Sequence, residues 1–199
     1  MFVVGLTGSM GMGKSTAAAR LRALGIAVFD ADAEVHRLYE GPASAAIEAA
    51  FPGTTENGRV DRQKLAAALG GDPGNFKRLE HIVHPLVQVA EKAFLRARAD
   101  AGDTLAVLEI PLLYETGAEA RMDAVIVVSA SAEVQRERLL ARPGMTAEKL
   151  KNLLTRQKSD AEKRRRADFV VDTNTTLAET EARIDAIVGV LRNKHGPGI

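Results

Sequence analysis

The chain predicts an α/β fold built on a five-stranded parallel sheet, and three observations carry that prediction. Five short apolar runs, Phe2 to Leu6, Ile26 to Phe29, Thr104 to Ile110, Ala124 to Val128 and Phe169 to Val171, read as strands buried on both faces. Helix-compatible segments lie between or after them, the alternation that parallel pairing requires. A glycine-rich stretch separates the first apolar run from the first helical run, Thr16 to Leu24, so strand, loop and helix follow one another without a gap.

A length of 199 residues suffices for one substantial core with one or two excursions from it. The last helix is the clearest: Ile184, Ile187, Val188 and Leu191 recur at i, i+3, i+4 and i+7 on an otherwise polar segment. Another is expected to open at Pro85, which suits a first helical turn, and to continue through Leu86, Val89, Ala90, Ala93 and Phe94. Two spans read as inserts on the core, which takes up about 1–42, 102–135 and 167–199. The first, about 43–101, is mostly helical, with loop signals at Pro52-Gly53, Asn57-Gly58 and Gly70-Gly71-Asp72-Pro73-Gly74. The second, about 136–166, is polar and basic, from Arg136, Arg138 and Arg142 through Lys149, Lys151, Arg156 and Lys158 to Lys163–Arg166. Inserts of this length usually carry function.

Composition excludes several classes. Lys and Arg number 27 against 26 Asp and Glu, so no overall field favours a nucleic-acid coat or a membrane surface. The basic span has no aromatic side chains and therefore no stacking platform for bases. With no cysteine, disulfides, thiol nucleophiles and zinc-thiolate sites are ruled out. The first strand begins at residue 2 without a basic leader, and no apolar run approaches spanning length, so a cytoplasmic location is expected.

The chemistry concentrates between Gly8 and Ser15, where Gly-Ser-Met-Gly-Met-Gly-Lys-Ser fills every position of G-x-x-x-x-G-K-[ST]. Such a loop turns successive N–H groups inward toward phosphate, and the following helix N-terminus adds partial positive charge. Nucleoside triphosphate binding is implied, with Gly8, Ser9, Met10, Gly11, Met12, Gly13, Lys14, Ser15 and Thr16 as the contacting residues. Lys14 would reach the β/γ-phosphates and the Ser15 hydroxyl would hold Mg²⁺.

The second strand ends in Asp30-Ala31-Asp32, at the sheet edge where ligands of open α/β folds sit. One carboxylate can accept a proton from an attacking hydroxyl while the other positions magnesium through water; either can equally cap the next helix. Glu109, at the end of the third strand, is a further candidate for water-mediated metal contact. Arg136, Arg138 and Arg142 follow the fourth strand by one helix, where a closing lid could bring cations to the γ-phosphate. Gln157-Lys158-Ser159-Asp160 looks like the guanine-reading N-K-x-D element but has Gln for Asn and follows no strand, so it reads as coincidence.

Taken together, the motifs resemble those of the bacterial dephospho-CoA kinase family over nearly the whole chain. The resemblance rests on Gly5-Leu6-Thr7-Gly8, Leu24-Gly25-Ile26 with Asp30-Ala31-Asp32, and His84-Pro85-Leu86. It extends through Ile110-Pro111-Leu112-Leu113 with Glu115, Arg156-Gln157, and Asp168-Phe169-Val170-Val171-Asp172. It implies a three-layer α/β/α P-loop NTPase core like that of nucleoside-monophosphate kinases, with the first insert gripping the acceptor and the basic insert serving as lid. The implied reaction uses ATP and Mg²⁺ to phosphorylate the ribose 3′-hydroxyl of dephospho-CoA, the last step of CoA synthesis. Asp32 would be the general base, with Lys14, Arg138 and Arg142 stabilising the transferring group, and His84, Arg37 and Leu112 meeting the acceptor. Three positions depart from the family wording: His36 replaces a frequent Arg, with Arg37 beside it; Met10 and Met12 are bulky for the loop; and Glu109 stands where Asp is frequent. A nucleoside-monophosphate kinase or a non-enzymatic nucleotide switch would also explain the phosphate loop.

Overall fold

The computed structural model describes residues 1–155 and 157–195. Arg156, and the side chains of Lys149 and Lys151, lie outside the described residues. The chain divides into two compact units, one made of 1–29 and 98–199 and the other of 30–97.

The first unit is built around β1 (Phe2–Thr7), β2 (Ala27–Asp30), β5 (Leu105–Glu109), β6 (Ala124–Ser129) and β7 (Phe169–Asp172), ordered β2-β5-β1-β6-β7. All five expected strands are therefore present. β1 pairs in parallel with β5 on one side, Val4 against Val107, and with β6 on the other, Leu6 opposite Ile126. From β1 the chain crosses to β2 at one edge, returns to place β5 between the two, and then adds β6 and β7 on the other side, which leaves the carboxyl end of β1 at the switch point where such sheets bind ligands.

Side-chain alternation sorts each strand between two apolar layers. Val4 and Leu6 of β1 and Ile126 and Val128 of β6 pack on α1 (Lys14–Ala23) and α9 (Leu177–His195), where the predicted stripe Ile184, Ile187, Val188 and Leu191 is buried. Val125 and Val127 face the opposite layer with Leu113, Tyr114 and Ala118. On that face a Cβ at Gly5 would lie 2.5 Å from Leu113 Cδ1, so a side chain there could fit only by displacing Leu113. Outside, Arg20 of α1 forks onto Asp185 of α9 at 2.7 and 2.5 Å, tying the two helices together.

The basic span folds within this unit as the end of α6 (Ala132–Leu140), then α7 (Ala147–Leu154) and α8 (Asp160–Arg166). Ser131 caps α6 and Ser159 caps α8, each accepting a main-chain N–H three residues on. Among the described residues no helix is long and apolar enough to cross a membrane.

The second unit contains α2 (Ala31–Tyr39), α3 (Ser44–Ala50), a hairpin of β3 (Thr55–Glu56) and β4 (Arg59–Val60), α4 (Arg62–Leu69) and most of α5 (Pro73–Asp100). It has its own core of Leu38, Ile47, Phe51, Val60, Leu65, Leu69 and Val83. The hairpin was marked in the sequence only by its turn. Asn57 and Gly58 both take positive φ, 50° and 76°, the pairing a type I′ turn requires.

Pro85 does not open a helix; this corrects the sequence reading. α5 runs unbroken from Pro73, which takes the first-turn place, while Asp72 caps it by accepting Gly74 N–H at 2.8 Å. An interior proline removes one helical hydrogen bond and costs about 3 kcal/mol in a simple helix. The helix persists because Phe76, Leu79, Ile82, Val83, Leu86 and Val87 form one apolar stripe that continues through Pro85 into the unit's core. His84 is accordingly a half-buried residue of a helix interior rather than of a helix start.

Candidate active site

The phosphate loop is shaped by contacts that exclude side chains. At Gly8 a Cβ would sit 2.4 Å from the main-chain oxygen of Val128, which belongs to the neighbouring strand and cannot yield. At Gly11, with φ +82°, it would lie 2.8 Å from Leu139 Cγ. Gly13 adopts φ +89° as it hands the chain to α1, and its carbonyl accepts the N–H groups of Thr16 and Ala17. Met12, only 2 % exposed, uses its sulfur to accept Ala130 N–H at 3.0 Å. The bulky residue at this loop position is thus an anchor pointing away from the ligand face.

α1 begins with Lys14, half-buried, followed by Ser15 and Thr16, both exposed. No side chain caps this terminus and its first turn holds no acid, so its N–H dipoles and Lys14 present net positive character. That is the chemistry a polyphosphate needs. Among the described residues no group of three or more His, Asp or Glu could hold a metal. Mg²⁺ shared with substrate phosphates does not need such a cage, and a single Ser hydroxyl fits that pattern. Glu109 closes β5, in register with Leu6 of β1; it is 8 % exposed and its carboxylate lies 3.9 Å from Arg22.

The basic segment meets the loop from the other side. Arg138 donates to Thr173 Oγ1 at 3.0 Å, to Thr173 O at 2.7 Å and more weakly to Gly11 O at 3.4 Å. Thr173 in turn donates to Met12 O at 3.0 Å. Arg138 therefore borders the phosphate loop with its guanidinium already engaged. Arg142, just past α6, is exposed, and its main chain turns through N–H donation to Leu139 O. Arg136 is exposed as well.

Beneath this surface Lys163 of α8 is completely buried, its Nζ 2.9 Å from Glu115 Oε1, close enough for an ion pair though poorly aligned for a hydrogen bond. Glu115 also accepts Lys158 N–H at 2.7 Å. Nearby, Arg166 stacks 4.4 Å from the Tyr114 ring centre, and burial pushes the Tyr114 hydroxyl up to about 12. Leu112 is half-buried in the loop after β5, and its carbonyl accepts from Thr116.

In the second unit Asp30 takes the capping role, accepting Ala33 N–H at 2.9 Å. Asp32 is exposed in the first turn of α2. Arg37 is paired with Glu34 through two bonds of 2.9 and 2.5 Å, and this partner holds its guanidinium above its usual range. The exposed His36 shares that helical turn.

Within the first unit, the residues from Gly8 to Thr16 form one continuous loop and helix start, and Arg138 lies against Gly11 of that loop. Gln135 and Thr173, which touch the same loop, were not legible. Neither belongs to a local pattern, and each reaches the loop through a partner more than a hundred residues away.

The family model for dephospho-CoA kinases matches residues 2–179. The chain is similar to the dephospho-CoA kinase of Mesorhizobium japonicum, 54% identical over 196 residues that cover 98% of this chain and 100% of the relative. It is likewise 54% identical to that of Brucella melitensis, over 98% of this chain and 97% of the relative. Among solved structures it is similar to a Thermus thermophilus protein, at TM-score 0.83 and 36% identity over 98% of both chains. In fold it also resembles the Campylobacter jejuni dephospho-CoA kinase, at TM-score 0.73 and 22% identity over 96% of this chain and 98% of that one. A phosphate loop whose glycines are fixed by the adjoining strand and helix thus accompanies identity along nearly the full length, and the chain belongs to the dephospho-CoA kinase family.

Proposed function

We propose that the chain transfers the γ-phosphoryl group of ATP to the ribose 3′-hydroxyl of dephospho-CoA, giving CoA and ADP. The observation that carries this reading is the uncapped, acid-free N-terminus of α1 behind a glycine-shaped loop, in a chain of this family. Loop N–H groups and Lys14 bind the β- and γ-phosphates of the donor. Asp32, the first acid within α2, takes the proton as the 3′-oxygen attacks phosphorus and the bond to the ADP oxygen breaks. Arg142 and Arg138 supply positive charge beside the transferring group, where it counts most if water is excluded. Ser15 would hold Mg²⁺, with Asp30 or Glu109 acting through water; the ion's contribution is to neutralise phosphate charge. Arg37, His84 and Leu112 are the proposed acceptor contacts, Arg37 by exchanging Glu34 for an anionic group.

The test is ADP release with ATP and Mg²⁺ in the presence of dephospho-CoA, AMP, CMP, UMP or no acceptor. Turnover with dephospho-CoA alone, yielding 3′-phosphorylated product, is expected. Turnover with a nucleoside monophosphate instead would refute the acceptor. In the same assay Asp32→Asn lowers kcat by roughly 10²-fold or more with ATP affinity little changed; near-normal turnover would remove Asp32 from the base role.

A further inference from the structure

Met10, in the middle of the phosphate loop, is held by two glutamine side chains from separate helical segments. Its N–H donates to Gln157 Oε1 at 3.2 Å, and its carbonyl accepts from Gln135 Nε2 at 2.8 Å. The two groups belong to consecutive peptide units, so the pair of bonds fixes both planes around one residue. Gln135, 8 % exposed, sits on α6 one turn before Arg138. Gln157 is half-buried in the stretch between α7 and α8.

Each glutamine is itself braced. α6 is anchored by its Ser131 cap, and Arg138 adds the contact to Gly11 O. On the other side, the residue after Gln157 donates its N–H to Glu115, which is paired with the buried Lys163. Three residues after Gln157, Asp160 accepts Ser129 Oγ–H at 2.7 Å at the end of β6. The segment carrying Gln157 is therefore fastened to the sheet before it reaches the loop.

Phosphate loops work through the fixed direction of their N–H dipoles, which must not reorganise as charge develops. The peptide after Met10 adjoins Gly11, a residue without a Cβ at φ +82°, and so has more intrinsic rotational freedom than a link between residues that carry side chains. The Gln135 bond removes that freedom on one side and the Gln157 bond on the other. Packing alone does not call for an amide at either position.

We propose that Gln135 and Gln157 are positioning residues that together clamp the Met10 main chain and tie the phosphate loop's geometry to the base of the basic helical segment. The inference rests on the phosphoryl-transfer reading above. It goes beyond it by giving these two side chains a share in kcat without contact with the reacting atoms.

Amide exchange at Met10, followed by NMR on the full chain without nucleotide, reads the clamp directly. Exchange accelerates in Gln157→Leu and returns toward the wild-type rate in Gln157→Glu, which keeps an acceptor oxygen of the same reach. Gln135→Leu and Gln157→Leu each lower kcat by roughly 3–10-fold, the effect of one lost hydrogen bond, while KM for dephospho-CoA is little changed. The double variant loses less than the product of the two singles, because both act on one residue. Wild-type Met10 exchange in Gln157→Leu overturns the proposal, and so does a fall in kcat that merely follows a fall in Tm. If the wild-type chain itself shows no turnover with dephospho-CoA, the kinase reading fails, and the exchange result alone upholds or overturns the clamp.

Discussion

Replacing Lys163 by Met separates the structural from the chemical share of the basic segment. The ammonium is fully buried and lies 2.9 Å from Glu115, which is 14 % exposed at its side chain. Methionine fills nearly the same volume, so packing is largely kept. What changes is that a carboxylate is left in a poorly solvated place with one main-chain N–H, that of Lys158, as its described donor, while Oε2 has no described partner. Breaking a buried pair from one side costs about 3–5 kcal/mol. The retained N–H and residual solvent contact place this case near the lower end, at about 3 kcal/mol. For a chain of this size that corresponds to a fall in Tm of about 6–12 °C. Urea unfolding followed by circular dichroism measures the loss, and m is expected to stay constant. Adding Glu115→Gln removes the stranded charge yet keeps an acceptor for Lys158 N–H, so the double variant should recover to within about 1 kcal/mol of wild type. A single-variant loss below about 1 kcal/mol, or strictly additive losses, would show that the pair carries no mutual stabilisation.

Three further outcomes follow from particular contacts. Gly8→Ala forces a Cβ against Val128 O, so it should cost about 1–3 kcal/mol and weaken ADP binding more than tenfold; calorimetric titration at native affinity would refute the close approach. Pro85→Ala supplies the missing helical N–H of α5 and should raise stability by about 1–3 kcal/mol in urea unfolding, whereas a loss would mean that the proline ring itself is needed for packing. Arg142→Ala should lower kcat with Tm unchanged, while Arg138→Ala, which releases its bonds to Thr173 and Gly11, should lower both; equal Tm values for the two variants would contradict the brace assigned to Arg138.

Much of the site was legible because its chemistry is local. The phosphate loop is eight contiguous residues whose spacing reflects backbone geometry, so Gly8, Gly13, Lys14 and Ser15 could be read without a fold. The strands were legible for a similar reason: in a parallel sheet covered on both faces, each is a continuous apolar run. Proline signals failed where packing overrode propensity, as the stripe from Phe76 to Val87 carries α5 past Pro85.

Sequence alone determined the fold class, the phosphate chemistry and, through its ordered motifs, the family, since each of these is written in residues that are neighbours along the chain. Tertiary structure decided what the ambiguous side chains do. It made Asp30 a helix cap, turned Met12 into an anchor on Ala130, engaged Arg138 with Thr173, and buried Lys163 against Glu115. It also brought Gln135 and Gln157 to opposite sides of one loop residue. The physical reason is that hydrogen bonds and ion pairs act over a few ångströms, and the partners in these contacts outside the helix cap lie from 35 to 147 positions apart in the chain.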